Sequence, residues 1–336
     1  MKIGLITPAA RHARSGNRAT ADRWQRLLVD LGHAVSVATD YDGSDVDLLL
    51  AVHAWRSAPA IRCFAEAHPE RPLVVLLAGT DIYRFQHEDP EPIIESLRAA
   101  HALIGLHEKV ADDVPAEFRA KLAVVLQSAE SLERRPPLKT KFEVCVIGHL
   151  RDEKDSLRTA YAARDLPEDS RIAVTQLGKA NSQDWAERAS AEMASNFRYR
   201  WWGERSRTTV RKIMARARVM VMSSRMEGGA NAVSEACAAG LPVIASHIPG
   251  NIGLLGEDYP GYFPVEDTEA LRSLLLRAES DADWLERLCS HCRQRAGLFT
   301  PERERKSLAA VIDQAVSAAD KRRQSPRKRR QFSFRP

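Results

Sequence analysis

The sequence is short of the features that mark several large classes of protein. No apolar run approaches the ~18 residues of a membrane span, and the longest, around Leu48 and Leu73, are strand-sized. Residues 1–7 are too short for a signal-peptide core and read as a strand, so a cytoplasmic protein without membrane contact is expected. Cysteine is sparse and scattered, at positions 63, 145, 237, 289 and 292, an odd set that argues against a disulfide framework. Cys289 and Cys292 form a lone C-x-x-C in a helical pattern and read as reduced thiols. No G-x-G-x-x-G follows the first strand, which counts against a dinucleotide oxidoreductase, and no G-x-S-x-G elbow occurs. Three D-x-D pairs exist, but Asp45/Asp47 precede a strand and Asp281/Asp283 start a helix. Asp40/Asp42 sit in an acidic turn. No metal site and no cofactor are expected.

Acidic residues are missing from the last stretch, residues 321–336, which holds eight Lys or Arg. Taking those eight from the overall +5 leaves the body at −3. The high pI is therefore a property of a tail, which reads as disordered and free to contact nucleic acid without requiring it.

What is present is strand–helix alternation over a chain long enough for two domains. Strand patterns fall at residues 2–7, 34–38, 47–52, 73–77, 102–106 and 122–126. Helical patterns fall at residues 18–31, 58–67, 92–99 and 108–119. Buried strands alternating with helices predict a parallel, doubly wound sheet with ligands at the strands' C-terminal ends. At those ends stand His53 with Arg56, Gly79-Thr80-Asp81, and Gln127-Ser128. After the first strand, Arg11, His12, Arg14 and Arg18 surround Ser15-Gly16-Asn17, either an anion pocket or a solvated loop. Arg134-Arg135-Pro136-Pro137 reads as a linker. A second series follows, with strands at residues 142–147, 172–176, 199–202, 219–222 and 242–246. The first of these leads into Gly148-His149-Leu150-Arg151 and Lys154, a strand-end glycine followed by cations. Gly250 and Gly253 read as another glycine loop, and residues 302–319 as a closing helix.

The chain is organised around residues 219–249. Here a buried strand runs into a tight loop with Gly228-Gly229, then into a helix from Ala230 that Gly240 stops. Paired glycines at a helix N-terminus let backbone amides approach an anion. Glu227 precedes them, and Glu235 lies about 9 Å farther along the helix at ~1.5 Å per residue. Two carboxylates flanking an anion site suit a nucleotide sugar; spacing alone leaves an ordinary α/β turn open.

SSRMEGGANAVSEACAAGLPVIAS resembles the E-x7-E signature of retaining glycosyltransferases, kin of the glycogen and sucrose synthases. The resemblance implies the GT-B fold: α/β, two Rossmann-like doubly wound domains with a cleft between them. The expected boundaries are an acceptor-side domain at 1–133, a linker at 134–141 and a UDP-sugar domain at 142–299. A helix at 300–320 would return to the first domain, with the tail at 321–336. In the family's pattern Glu227 contacts the donor sugar and Glu235 the ribose. Gly148, Gly228, Gly229, Ala230 and Asn231 join them as donor-binding residues, and Gly16 and Asn17 face the donor from the first loop. GHLRDEK is similar to the family's G-R-L-x-x-x-K element, with Lys154 in register. His149 occupies the usual arginine position, and Arg151 is the substitute cation. Lys154, Glu227 and His53 are the catalytic expectations.

A closer resemblance spans nearly everything before the tail. MKIGLITPA, SGNRATADRW, LAGTDIY, FEVCVIGHLRDEKD and IPGNIGLLGEDYPGYFPVEDTEAL are similar to the selenosugar synthases of selenoneine biosynthesis. That implies a UDP-sugar, typically UDP-N-acetylglucosamine, and selenophosphate as small-molecule substrates. Arg11, Arg14, Arg18, Arg56, Thr80 and Asp81 are then the acceptor-binding residues. The alternatives are a transferase with a hydroxyl acceptor, a UDP-sugar epimerase, and a non-catalytic nucleic-acid-binding protein.

Overall fold

The computed structural model describes residues 1–13 and 15–324; Arg14 and the basic tail beyond Gln324 lie outside them. The chain divides into two compact units, one of residues 1–126 with the stretch from Glu302 onward, the other of residues 127–301.

The first unit is built on six parallel strands: β1 (Lys2–Ile6), β2 (Ala34–Ala38), β3 (Leu48–Val52), β4 (Leu73–Leu76), β5 (Ala102–Gly105) and β6 (Leu122–Val124). Their order is β2-β1-β3-β4-β5-β6. β3 to β5 are apolar runs because helices cover both faces and every side chain is buried. On one face, Trp24, Leu27 and Leu28 of the Gly16–Asp30 helix join Leu308, Val311, Ile312 and Ala315 of the Pro301–Gln324 helix. Glu304 of that last helix is buried and accepts a 2.7 Å hydrogen bond from Trp24 Nε1. The Ala58–Ala67 and Pro90–Ala99 helices cover the other face.

The second unit repeats the plan with β7 (Phe142–Ile147), β8 (Ile172–Leu177), β9 (Tyr199–Trp201), β10 (Val219–Met222), β11 (Val243–Ser246) and β12 (Tyr262–Phe263). All pairings are parallel, in the order β12-β11-β10-β7-β8-β9. The order reverses between β7 and β10, so the loops leaving these adjacent strands open on one crevice, the usual ligand position of such sheets.

Several elements differ from the sequence expectation. The first helix starts at Gly16, not near Arg18, because Ser15 caps it by accepting from the Arg18 amide at 3.3 Å. Gly16, Asn17 and Arg18 are its first turn rather than a loop. The single helix expected over residues 108–119 is two pieces, Val110–Asp113 and the 3-10 turn Ala116–Lys121. Pro115 separates them, since it donates no amide and pushes Val114 to an extended conformation. Gly250 and Gly253 lie inside a helix, Pro249–Leu255, that Pro249 begins.

The stretch expected as a linker is tied down. Arg134 donates to the carbonyls of Met214 and Ala217, both at 2.6 Å, and Arg135 N to Ala215 O. These residues form the buried C-terminal end of the Arg207–Arg216 helix, where carbonyls lack helical partners and attract a cation. Residues 127–141 therefore belong to the second unit. The closing helix continues past 320 to Gln324, so the first residues expected as tail are helical.

Candidate functional site

In the second unit the loops after β7 and β10 converge. Gly148 follows β7 with φ of 158°, and its amide and the Leu150 amide donate to the carbonyls of Leu177, the last residue of β8, and of Lys179 just beyond it. Gly178 is pressed against it: a Cβ there would lie 1.9 Å from the Gly148 carbonyl oxygen. The chain then makes a 3-10 turn, Asp152–Lys154, and Asp155 adopts the left-handed conformation. The aliphatic part of Lys154 lies over Gly148 and carries the ammonium to Glu227.

Glu227 is 7% exposed, and its Oε1 accepts from both Lys154 Nζ and Ser224 Oγ. The loop that carries it is docked on the Lys154 turn: Arg225 N donates to Glu153 O at 2.9 Å, and Ser223 Oγ donates to Lys154 O at 3.2 Å. Gly228 is buried and Gly229 half-buried, and Ala230 is the N-cap residue of the Asn231–Ala239 helix. Asn231 and Glu235 are one turn apart on the same side of that helix, both half-buried. Gly240 closes the helix at φ 61°.

The two other candidates in this unit sit differently. Arg151 Nε is 3.7 Å from Glu153 Oε2, with its side chain 38% exposed. The Nδ1 of His149 accepts from the Lys179 amide at 3.0 Å, which places the ring proton on Nε2.

In the first unit the candidates gather at the strand ends, yet several are committed within the unit. His53 follows β3 at φ 78°, is 1% exposed, and is held below its ordinary pKa by burial, which outweighs the opposing Asp81 charge. Its Nδ1 accepts from the Arg56 amide at 3.2 Å, and its Nε2 faces Thr80 Oγ1 at 2.9 Å. The imidazole expected to be catalytic is thus buried and engaged with Thr80 in this structure. Asp81 is engaged as well: its fully buried carboxylate accepts from the amides of Ala54, Ala78, Gly79 and Ile82 and knits the β3 and β4 loops together.

Arg18 pairs with Asp22 at 2.6 Å, one turn along its helix, and is not a loop cation. Arg11 is exposed. Arg56 is exposed and lies 5.9 Å from the centroid of Phe85, whose ring stacks on Trp55 at 4.0 Å. Arg14 lies outside the described residues.

Sequence reading missed three contributors to the loops after β7 and β10. Ser224 is one; the serine three places before the glutamate was the available signal. Gly250 is another: a Cβ there would lie 2.2 Å from Glu227 O and 2.8 Å from Glu227 Cβ. The strand-end glycine Gly178 is the third. Among the described residues no cluster of His, Cys, Asp or Glu could hold a metal ion, and no helix is long and apolar enough to cross a membrane.

No curated protein sequence matches the chain. Solved structures do, by shape. HepE of Anabaena, crystallised with UDP and glucose, superposes with a TM-score of 0.75 at 16% identity, over 93% of this chain and 99% of its own. Sucrose-phosphate synthase from Thermosynechococcus elongatus gives 0.72 at 16% identity, over 94% and 99%. TarM of S. aureus, in complex with UDP and alpha-GlcNAc-glycerol, gives 0.60 at 14% identity, over 81% and 55%. The fold is GT-B, two Rossmann-like parallel-sheet units in one chain. Residues 127–296, half of the chain and all of the loops built around Lys154, Glu227 and Glu235, match the family Glycosyl transferases group 1, and the chain belongs to that family.

Proposed function

We propose that this protein is a selenosugar synthase, a transferase that moves a sugar from a UDP-sugar to the selenium of selenophosphate. The observation that carries the donor half is the Lys154–Glu227 contact beside Gly228-Gly229 at a helix N-terminus. An ammonium and a helix N-terminus both favour an anion, and the diphosphate of a nucleotide sugar is of that kind. Glu227 is assigned to the donor sugar and Glu235 to the ribose. Gly148, Arg151, Ala230 and Asn231 are assigned to the donor alongside the two glycines, with Gly16 and Asn17 assigned from the first unit. UDP-bound HepE and TarM belong to the same fold and support a uridine donor. UDP-N-acetylglucosamine is the donor expected.

The reaction breaks the bond from C1 to the UDP oxygen, and the electron pair leaves on the β-phosphate. Lys154 and Arg151 stabilise that charge as it develops. A selenium lone pair forms the C1–Se bond, and water then takes the phosphoryl group from selenium as phosphate, leaving a 1-selenosugar. Selenophosphate arrives ionised and nucleophilic, so the step needs no general base. The acceptor assignment rests on the sequence resemblance that spans the body of the chain, with Arg11, Arg14, Arg56 and Thr80 as the acceptor residues. One observation favours a hydroxyl acceptor instead: Trp55 and Phe85 form a stacked aromatic pair beside Arg56, a surface suited to a sugar or an apolar alcohol.

The test is to incubate the purified protein with a panel of UDP-sugars, with and without selenophosphate, and to read products by mass spectrometry. A selenium-containing sugar that forms only with both substrates is the expected result. Glycosylation of a neutral alcohol with no selenium product would overturn the acceptor assignment and keep the donor one.

A further inference from the structure

The carboxylate of Glu227 is not symmetric. Both of its protein partners, Ser224 Oγ at 2.5 Å and Lys154 Nζ, address Oε1. No hydrogen bond from the described residues reaches Oε2. The serine that makes this distinction is fixed from the far side of the loop. Ser246 Oγ donates to the Ser224 carbonyl at 2.5 Å. Asn251 in turn gives one amide group, Nδ2, to both Ser246 O at 2.9 Å and Ser246 Oγ at 3.1 Å. The donors point one way, from Asn251 to Ser246 to Ser224 to Glu227, and Ser224, Ser246 and Asn251 are all nearly or fully buried.

Two facts mark this chain as geometric in purpose. Asn251 Oδ1 is buried without a partner, so the amide is held in an orientation that serves Ser246 at a cost in stability. The same segment presses Gly250 against the Glu227 backbone, where even a methyl group has no room. Side chain and backbone of Glu227 are thus both set from the segment that follows β11.

We propose that Ser224, held by Ser246 and Asn251, is a positioning residue for Glu227: it holds Oε1 together with Lys154, so that Oε2 is the oxygen presented to the donor sugar. This rests on the assignment of Glu227 to the sugar. A hydroxyl group of the sugar donates to Oε2 in this arrangement. Losing Ser224 leaves the carboxylate free to swing about Lys154, which costs turnover more than it costs donor capture.

The experiment compares wild type, Ser224→Ala, Glu227→Gln and the double variant by steady-state kinetics with the UDP-sugar, and by calorimetry with UDP alone. Ser224→Ala should lower kcat about 10- to 100-fold. Donor KM and UDP affinity should stay within about threefold. In the Glu227→Gln background the same change should cost less than about threefold, because its route of action is gone. Equal costs in both backgrounds, or a parallel loss of UDP affinity, would overturn the positioning role. Should Ser224→Ala fail to fold, Ser246→Ala probes the same chain one step back, and the same pattern at smaller size is expected. A wild-type protein that binds UDP but turns over no UDP-sugar would defeat the functional reading instead. The coupling of Ser224 to Glu227 is then read from urea midpoints of the four proteins, where additive effects would overturn it.

Discussion

Lys154 and Glu227 stand 73 positions apart in sequence and meet as an ion pair, with Lys154 18% and Glu227 7% exposed. They meet because β7 and β10 are neighbours in the sheet although β8 and β9 intervene in the chain. The pair predicts how Lys154 acts. Its ammonium is already fixed before substrate arrives, so it needs no reorganisation when charge develops on the leaving diphosphate. Lys154→Ala should lower kcat about 10²- to 10³-fold, the scale of removing one preorganised donor. Because Lys154 and Arg151 supply positive charge themselves, full activity is expected in excess chelator. Initial rates with and without the chelator check this, and a strict divalent-ion dependence would count against these roles.

Glu227 and Glu235 should fail differently. The ribose is unchanged by the reaction, so its contact stabilises ground and transition states alike. The sugar ring flattens toward an oxocarbenium-like geometry, so Glu227 can act differentially. Glu235→Ala should raise donor KM with kcat nearly intact, and Glu227→Ala should lower kcat. Steady-state kinetics on both variants decide it, and reversed effects would sink the assignment.

Two glycines give opposite forecasts. Gly250→Ala places a methyl carbon 2.2 Å from the Glu227 carbonyl oxygen, so the loop must shift. Activity should fall at least about tenfold, since a displacement of about 1 Å is enough to cost that much. Gly16→Ala meets nothing within 4 Å and sits in the first turn of a helix. It should raise stability by about 0.4–1 kcal/mol through the unfolded state. If Gly16 lets its backbone approach the donor, donor KM rises at the same time. Melting temperatures and kinetics on the two variants separate these effects.

The sequence made the strands, the E-x7-E pair and Lys154 legible because each is a local pattern: an apolar run, or fixed residue types at fixed spacing. It did not make Ser224, Gly178 or Gly250 legible as parts of the site. Gly178 and Gly250 act by contact with loops that only the sheet order brings near, which no local pattern encodes, whereas Ser224 is local to Glu227 but is held by Ser246 from the next strand. The loop contacts of Asp81 and His53 were hidden for the related reason that a polar residue at a strand end looks the same whether it faces a ligand or its own loop. The helix start at Ser15 was local and readable; the surrounding arginines drew attention to a loop that is in fact a capped first turn.

Burial of histidines in the first unit predicts acid sensitivity. Burial pushes His107 down to about 4, and burial with the nearby cations Arg322 and Lys121 pushes His101 down to about 3. In the unfolded chain both titrate near 6.5. Below about pH 6.5 the unfolded chain therefore binds protons that the folded one refuses, and stability falls with pH until the folded values are reached. At pH 5 each histidine should have removed about 2 kcal/mol relative to pH 7.5. Urea unfolding at the two pH values checks the total. His107→Gln should shrink the drop by about its own share, and an unchanged drop would show that other groups govern it.

The last prediction concerns the acceptor, and the structure sharpens which arginines to test. Arg11 is exposed after β1, whereas Arg18 is engaged with Asp22 in the first helix. If the cationic stretch captures selenophosphate, Arg11→Ala and Arg14→Ala should each raise its KM and leave slow hydrolysis of the donor nearly intact. Charged contacts of this kind act on capture of a small anion, not on departure of UDP. Arg18→Ala should act less on the acceptor KM and more on the stability of the helix start, because removing it strands Asp22. Inorganic phosphate should compete weakly, since it shares the anion contacts but lacks the soft nucleophile. Raising the salt concentration should weaken selenophosphate capture, as expected for exposed charges. The measurements are selenophosphate KM for the three variants, with phosphate and salt titrations. A selenophosphate KM indifferent to Arg11, Arg14 and salt would move the acceptor away from this stretch and leave Arg56 and Thr80 as the residues to examine.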